Sequence, residues 1–186
     1  MANKNHQVAV GLWNNFLDGD EGAFSELYCF YFEDLMHYGS RICINKELTE
    51  DLIQDIFVRL YLRKISPDDP SRLRPFLYRS LKNAIINSLI REARCTSIDD
   101  PEIIFNLSYT IEDHILAHQD LTEEIEKIMS CLSQRQKEII YLRFVQEMTF
   151  EEISAILDMN VQSAYNLLSR SVKKLRQVNQ HMLFLP

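Results

Sequence analysis

Apolar residues recur at intervals of three and four along most of this chain, the period of a helix that buries one face. In LWNNFLDGDEGAFSELYCFYFEDLMHYG, Leu12, Trp13, Phe16 and Leu17 fall on one helix and Asp18-Gly19-Asp20 makes a turn. Phe24, Leu27, Tyr28, Tyr31, Leu35 and Tyr38 then stripe a second helix, with the spacing of a core rather than of a ligand box. A third helix is predicted from Leu48 to Lys64, where Leu52, Ile53, Ile56, Phe57, Leu60 and Tyr61 make a wide buried stripe. The prolines and aspartates of 65–74 read as a loop, after which Pro75 suits the first turn of a helix whose Leu77, Leu81, Ile85 and Leu89 face inward. Between Thr96 and Leu121 there is little periodicity before Ile111, and Pro101 opposes one continuous helix. Periodicity resumes at Thr122, and Ser133 with Gln136 has capping-box spacing. Thr149 and Glu152 repeat that spacing ahead of Ile153, Ile156 and Leu157; Asp158-Met159-Asn160 interrupts, Asn160 can cap, and Val161, Ala164, Leu168, Val172 and Leu175 recur. Two short apolar faces across a three-residue break predict a helix-turn-helix.

Glycine occurs four times, always before residue 40, and neither Gly nor Pro falls between Glu102 and Leu185, so hairpin chemistry is almost absent. The predicted fold is all-α. Two small helical domains, 8–95 and 122–179, are joined by an acidic, partly irregular linker at 96–121, and the second contains the helix-turn-helix. The start, MANKNHQ, lacks the apolar core of a signal peptide, and no run approaches the roughly 18 apolar residues of a membrane span, so a cytoplasmic protein without membrane insertion is expected. Cys29, Cys43, Cys95 and Cys131 are too widely spaced for a zinc knuckle or redox pair and read as reduced packing residues.

The net charge of −7 is a poor match to a protein that holds DNA unaided. Its distribution changes the picture: six basic residues stand against twelve acidic in 1–71, six against one in 72–94, one against nine in 95–130, and seven against five in 131–186. Two basic patches are thus separated by acidic connector, which suits two contacts with nucleic acid. In 72–94, Arg79, Asn83, Asn87 and Arg91 form an i, i+4, i+8, i+12 row of cations and amides, with Lys82 beside it; Phe76 and Tyr78 add flat surfaces, a pattern suited to single strands. The second helix of the turn motif presents Gln162, Ser163, Tyr165, Asn166, Ser169, Arg170, Lys173, Lys174 and Arg176, with no acid from Val161 to Arg176, a face suited to a major groove. On the third helix, Asp51, Gln54, Asp55 and Val58 lie at i, i+3, i+4 and i+7, so carboxylates flank an apolar spot that can dock a basic partner helix. Asp51 with Asp55, and His114 with His118, are the only spacings that suggest a metal, and neither finds further ligands in sequence. No catalytic residue, metal or cofactor is expected.

In order, GDEGAF, DLIQDIF, FLYRSLKNAI, LSQRQKEIIYLRF and the turn motif resemble the extracytoplasmic-function group of sigma-70-type sigma factors, over nearly the whole chain. The resemblance implies a promoter-recognition subunit of bacterial RNA polymerase, a monomer when free, whose partners are core RNA polymerase, promoter DNA and an anti-sigma factor. It implies that Asp51, Gln54, Asp55 and Phe57, with Val58 beside them, bind the polymerase clamp helices. It also implies that the loop 66–74 and the helix carrying Phe76, Tyr78, Arg79, Lys82, Asn83, Asn87 and Arg91 recognise and open the minus-10 element. Residues of the turn motif, Gln162 to Lys174, are implied to read minus-35. The chain departs from the family's pattern at Phe76, where Trp is frequent, at Tyr165 and Leu167, where basic residues are usual, and at Asp158, where Gly is usual. Two rival readings have weaker support. A stand-alone helix-turn-helix regulator would need a dimer surface and DNA affinity of its own, and a helical enzyme or adaptor would need a reactive constellation that the sequence lacks.

Overall fold

The computed structural model describes residues 2–63, 67, 69–96, 105 and 130–182. Every regular element among them is helical, and the chain divides into two compact units, the first built on residues 1–103 and the second on 104–154 and 158–186. The predicted linker, its His114 and His118, and residues 122–129 lie outside the described residues, apart from Thr96 and Phe105.

The first unit packs four helices: α1 (Ala2–Leu17), α2 (Glu21–Ile42), α3 (Lys46–Arg63) and α4 (Leu73–Thr96). The turn from α1 to α2 is set by Gly19, whose φ of +107° suits glycine, and by Asp20, whose carboxylate accepts from Gly22 N at 2.9 Å and Ala23 N at 3.3 Å. Asn45 caps α3 through Leu48 N at 3.0 Å. Asp69 caps a single 3-10 turn, Pro70–Arg72, that leads into α4. Trp13, Leu27, Tyr31, Leu35, Tyr38, Ile53, Leu60, Leu77, Leu81 and Ile85 form the core, each fully buried side chain contributing roughly 1.5–3 kcal/mol. Where α2, α3 and α4 meet, Gly39 is needed for close approach, since a Cβ there would lie 2.4 Å from Thr49 Cγ2.

Four apolar expectations are corrected. Leu17, the last residue of α1, is exposed, and so is Tyr61 in the last turn of α3, although its ring still meets those of Phe16 and Phe24. Val161, the first residue of its helix, is likewise 41 % exposed. Cys29 is exposed rather than a packing residue, because it lies on the face of α2 away from Leu27, Tyr31 and Leu35.

The second unit contains α5 (Gln134–Ile140), a π-helical turn (Tyr141–Val145), α6 (Phe150–Leu157) and α7 (Val161–Met182). Both capping boxes form: Ser133 with Gln136, and Thr149 with Glu152, where Thr149 N reaches Glu152 Oε2 at 2.8 Å and Glu152 N reaches Thr149 Oγ1 at 3.2 Å. Phe105 packs on Tyr141, ring centroids 5.7 Å apart. The π-helical turn closes with Gln146 N donating to Tyr141 O and Gln146 Nε2 to Tyr141 Oη, at 3.1 and 3.0 Å.

Candidate nucleic-acid interface and docking face

The turn between α6 and α7 is built as the sequence requires. Asp158 is left-handed (φ 53°, ψ 56°), a conformation whose cost of about 1 kcal/mol is smaller for a short polar side chain than for most residues. Asn160 Oδ1 then accepts from Ser163 N at 2.7 Å and starts α7. The buried side of α7 is Ala164, Leu168 and Ser171, with Val172 and Leu175 half-buried. Ser171 was not among the expected core positions; its hydroxyl donates to Leu167 O at 2.7 Å, which lets a polar residue sit there.

All nine candidate residues on α7 are exposed. Gln162, Asn166, Ser169 and Lys173 recur at i, i+4, i+7 and i+11 along the ridge opposite Ala164, and Gln162 Nε2 donates to Asn166 Oδ1 at 3.2 Å. Arg170 and Ser163 flank one side, and Tyr165 the other, 56 % exposed with its ring 5.5 Å from Phe150. Lys174 points elsewhere: its ammonium donates to Cys131 O, ahead of α5, so it ties the unit together.

On α4, Arg79, Asn83, Asn87 and Arg91 are exposed in their row, and Lys82 is half-buried. Phe76, Ser80, Asn83, Ala84 and Asn87 line one side of a groove of about 330 Å³, and Ile56, Arg59 and Leu60 of α3 line the other. The structure corrects Tyr78. It is fully buried with its ring 4.9 Å from Tyr38, because the core stripe of α4 is wide enough to include both Leu77 and its neighbour, so Tyr78 offers no face to a base. Sequence reasoning missed Arg59, whose one legible signal was its position four residues after Asp55. Its guanidinium meets the Asp55 carboxylate at 3.2 Å, an exposed pair worth only about 0.2–1 kcal/mol. Arg59 is therefore cheaply redirected toward an anion in the groove.

Asp51, Gln54, Asp55 and Val58 are all exposed on one line of α3, as the spacing predicts. Phe57 belongs to the core, as its place in the apolar stripe of α3 predicts. It is 3 % exposed and edge-on to Phe24 and Tyr28, at 5.9 and 5.0 Å, because α2 covers that side of α3. It does line an apolar hollow of about 540 Å³ shared by Phe24, Tyr28, Gln54, Val58, Tyr61 and Leu62, which adjoins the acidic line. At its edges the Tyr28 hydroxyl is held above the usual phenol range by burial and then by Glu50, and that of Tyr61 by the Glu21 carboxylate. Among the described residues no cluster of metal-ligating side chains occurs, and no helix is long and apolar enough to cross a membrane.

Residues 31–95 match the family model of sigma-70 region 2, and residues 122–175 match that of sigma-70 region 4. The chain belongs to the sigma-70 family. It is 26% identical over 155 residues to the ECF RNA polymerase sigma factor SigM of Bacillus subtilis, covering 83% of this chain and 93% of SigM. With SigW of the same organism it shares 25% over 169 residues, covering 86% of this chain and 90% of SigW. The sigma factor has the fold of CnrH, solved with the cytosolic domain of CnrY (TM-score 0.61, 20% identity, 94% of this chain and 98% of CnrH). The same fold is found in RpoE of Bartonella quintana, solved with the anti-sigma factor NepR (TM-score 0.59, 18% identity, 84% of this chain and 96% of RpoE). As a sigma factor it directs RNA polymerase to promoters and starts transcription. The region 2 match thus spans the groove and the α3 side of the hollow, whose Phe24 and Tyr28 precede it, and the region 4 match contains the exposed ridge of α7.

Proposed function

We propose that the two units divide promoter recognition as follows. The line Asp51, Gln54, Asp55 and Val58, with the apolar hollow beside it, docks on a basic, amphipathic helix of core RNA polymerase. The groove bordered by Phe76, Asn83, Asn87 and Arg59 takes an unstacked base of the minus-10 element, with Arg79 and Arg91 on its phosphates. The ridge of α7 reads the minus-35 element as duplex, through Gln162, Ser163, Tyr165, Asn166 and Ser169 toward base edges and Arg170 and Lys173 toward phosphates.

The observation that carries this reading is that α3 belongs to two surfaces at once. Its outer line is acidic and exposed, while Ile56, Arg59 and Leu60 wall the groove against α4. Docking through one line of the helix leaves the other open to DNA. The protein acts in the cytoplasm as a monomer when free and without catalytic machinery of its own, and an anti-sigma factor is its natural antagonist, as NepR is the anti-sigma factor of RpoE. Because its net charge is −7, the free protein is expected to bind promoter duplex weakly at physiological salt and specifically only with polymerase. Co-purification with bacterial core polymerase, followed by transcription from a promoter library, tests this; tight sequence-specific binding by the protein alone would support a stand-alone regulator instead.

A further inference from the structure

The cations of α7 are unevenly placed. Arg170, Lys173 and Arg176 lie in its later turns, whereas Gln162, Ser163, Tyr165 and Asn166 near its start are neutral. It is the N-terminal part of a recognition helix that meets base edges, so those positions read by hydrogen bonds and apolar contact rather than by charge. Tyr165 is the large apolar surface among them. It lies three residues after Gln162 and four before Ser169, on the same outward side, and is 56 % exposed.

Its ring is also braced. Phe150 of α6 lies 5.5 Å away at 58°, the Arg143 guanidinium sits 5.4 Å over the Phe150 ring, and Arg143 Nη1 donates to Met148 O at 2.7 Å. A ring held in this way loses little freedom on binding. Among the four bases only thymine offers a methyl group in the major groove. We infer that Tyr165 reads the C5 methyl of a thymine in the minus-35 element, an inference that rests on the assignment of α7 to that element. An exposed arginine at this position would favour guanine; the braced tyrosine shifts preference toward an A·T pair.

The experiment uses holoenzyme assembled with core polymerase and the minus-35 sequence returned by a promoter library. Each thymine of that element is replaced singly by uracil, which removes only the methyl, and duplex affinity is measured. At one position uracil should weaken binding about fourfold, the value of one buried methyl-sized group. That loss should be the same in Tyr165→Phe and absent in Tyr165→Ala. The inference is overturned if the element contains no thymine, if no position responds to uracil, or if Tyr165→Ala keeps the response. It is also overturned if Tyr165→Phe weakens binding as much as Tyr165→Ala does, which would assign the phenol hydroxyl to a phosphate. Arg170→Ala and Lys173→Ala separate the two levels. If they weaken binding while uracil does not, only the role of Tyr165 falls; if they and scrambling of the element change nothing, the assignment of α7 falls with it.

Discussion

Helices α4 and α7 are nearly equal in length, both carry cations and amides along one side, and each has a tyrosine tilted against an aromatic ring of another helix. Their burial differs. The inner side of α4 is wide, with Leu73, Leu77, Tyr78, Leu81 and Ile85 each 1 % exposed or less, so its polar row is confined to the margin of a groove against α3. The inner side of α7 is narrow and small, Ala164, Leu168 and Ser171, so most of its circumference projects as a ridge. A groove suits one extruded base, whereas a ridge suits the major groove of an intact duplex. The width of the apolar stripe, more than the identity of the polar residues, separates the two roles.

The sharpest contrast is between the two tyrosines. Tyr78→Ala should cost about 3–5 kcal/mol of stability in urea unfolding of the full chain, the range for deleting a buried aromatic ring. Tyr165→Ala should cost no more than about 0.5–1.5 kcal/mol, the value of its ring contact with Phe150. Equal losses would erase the distinction.

Gly39→Ala probes the packing that makes the inner side of α4 wide, since the added Cβ would also meet Leu81 Cδ2 at 3.3 Å and Ile85 Cδ1 at 3.4 Å. Overpacking of about 1–3 kcal/mol is expected, read as a lower urea midpoint. Gly11→Ala, where nothing lies within 4 Å, should show no comparable loss.

Reversing charge on the outer line of α3 separates docking from folding. Asp51→Arg and Asp55→Arg together should weaken binding to core polymerase at least about tenfold, roughly 1.4 kcal/mol, by placing like charges across the interface. The unfolding midpoint should fall only by what the exposed Asp55–Arg59 pair contributes, about 0.2–1 kcal/mol. Unchanged polymerase affinity would remove this face from the account.

On α7 the effects are smaller and differ in kind. Arg170→Ala and Lys173→Ala should weaken all promoters alike and each reduce the slope of log affinity against log salt by about 0.9. Gln162→Ala and Asn166→Ala should instead change the preferred minus-35 sequence, as seen in library selection. Lys174→Ala should alter the slope least, since its ammonium is engaged by Cys131 O.

Much of this was legible in the sequence. Capping residues announce themselves by side-chain chemistry and spacing, so Thr149 with Glu152 and Ser133 with Gln136 fixed two helix starts without tertiary information. The exposed line of α3 followed from periodicity alone. Tyr78 was misplaced because an aromatic ring beside a stripe can turn inward or outward, and the decision lies with a second helix, here through Tyr38 of α2. Arg59 was missed for a related reason, as a groove belongs to two helices and appears in the periodicity of neither. The π-helical turn left no signal, because its closure depends on Gln146 reaching the hydroxyl of a buried tyrosine five residues earlier.

The division between groove and ridge is tested most directly at Asn83, which lines the groove but is exposed. Open-complex formation by holoenzyme carrying Asn83→Ala should be measured on a closed duplex promoter and on one with mismatched minus-10 bases. A residue that pairs with the extruded base is needed on both templates, since opening the strands in advance does not replace the contact. The defect is expected to persist on the mismatched template; full rescue there would make Asn83 a melting residue and contradict the assignment of the groove to base reading.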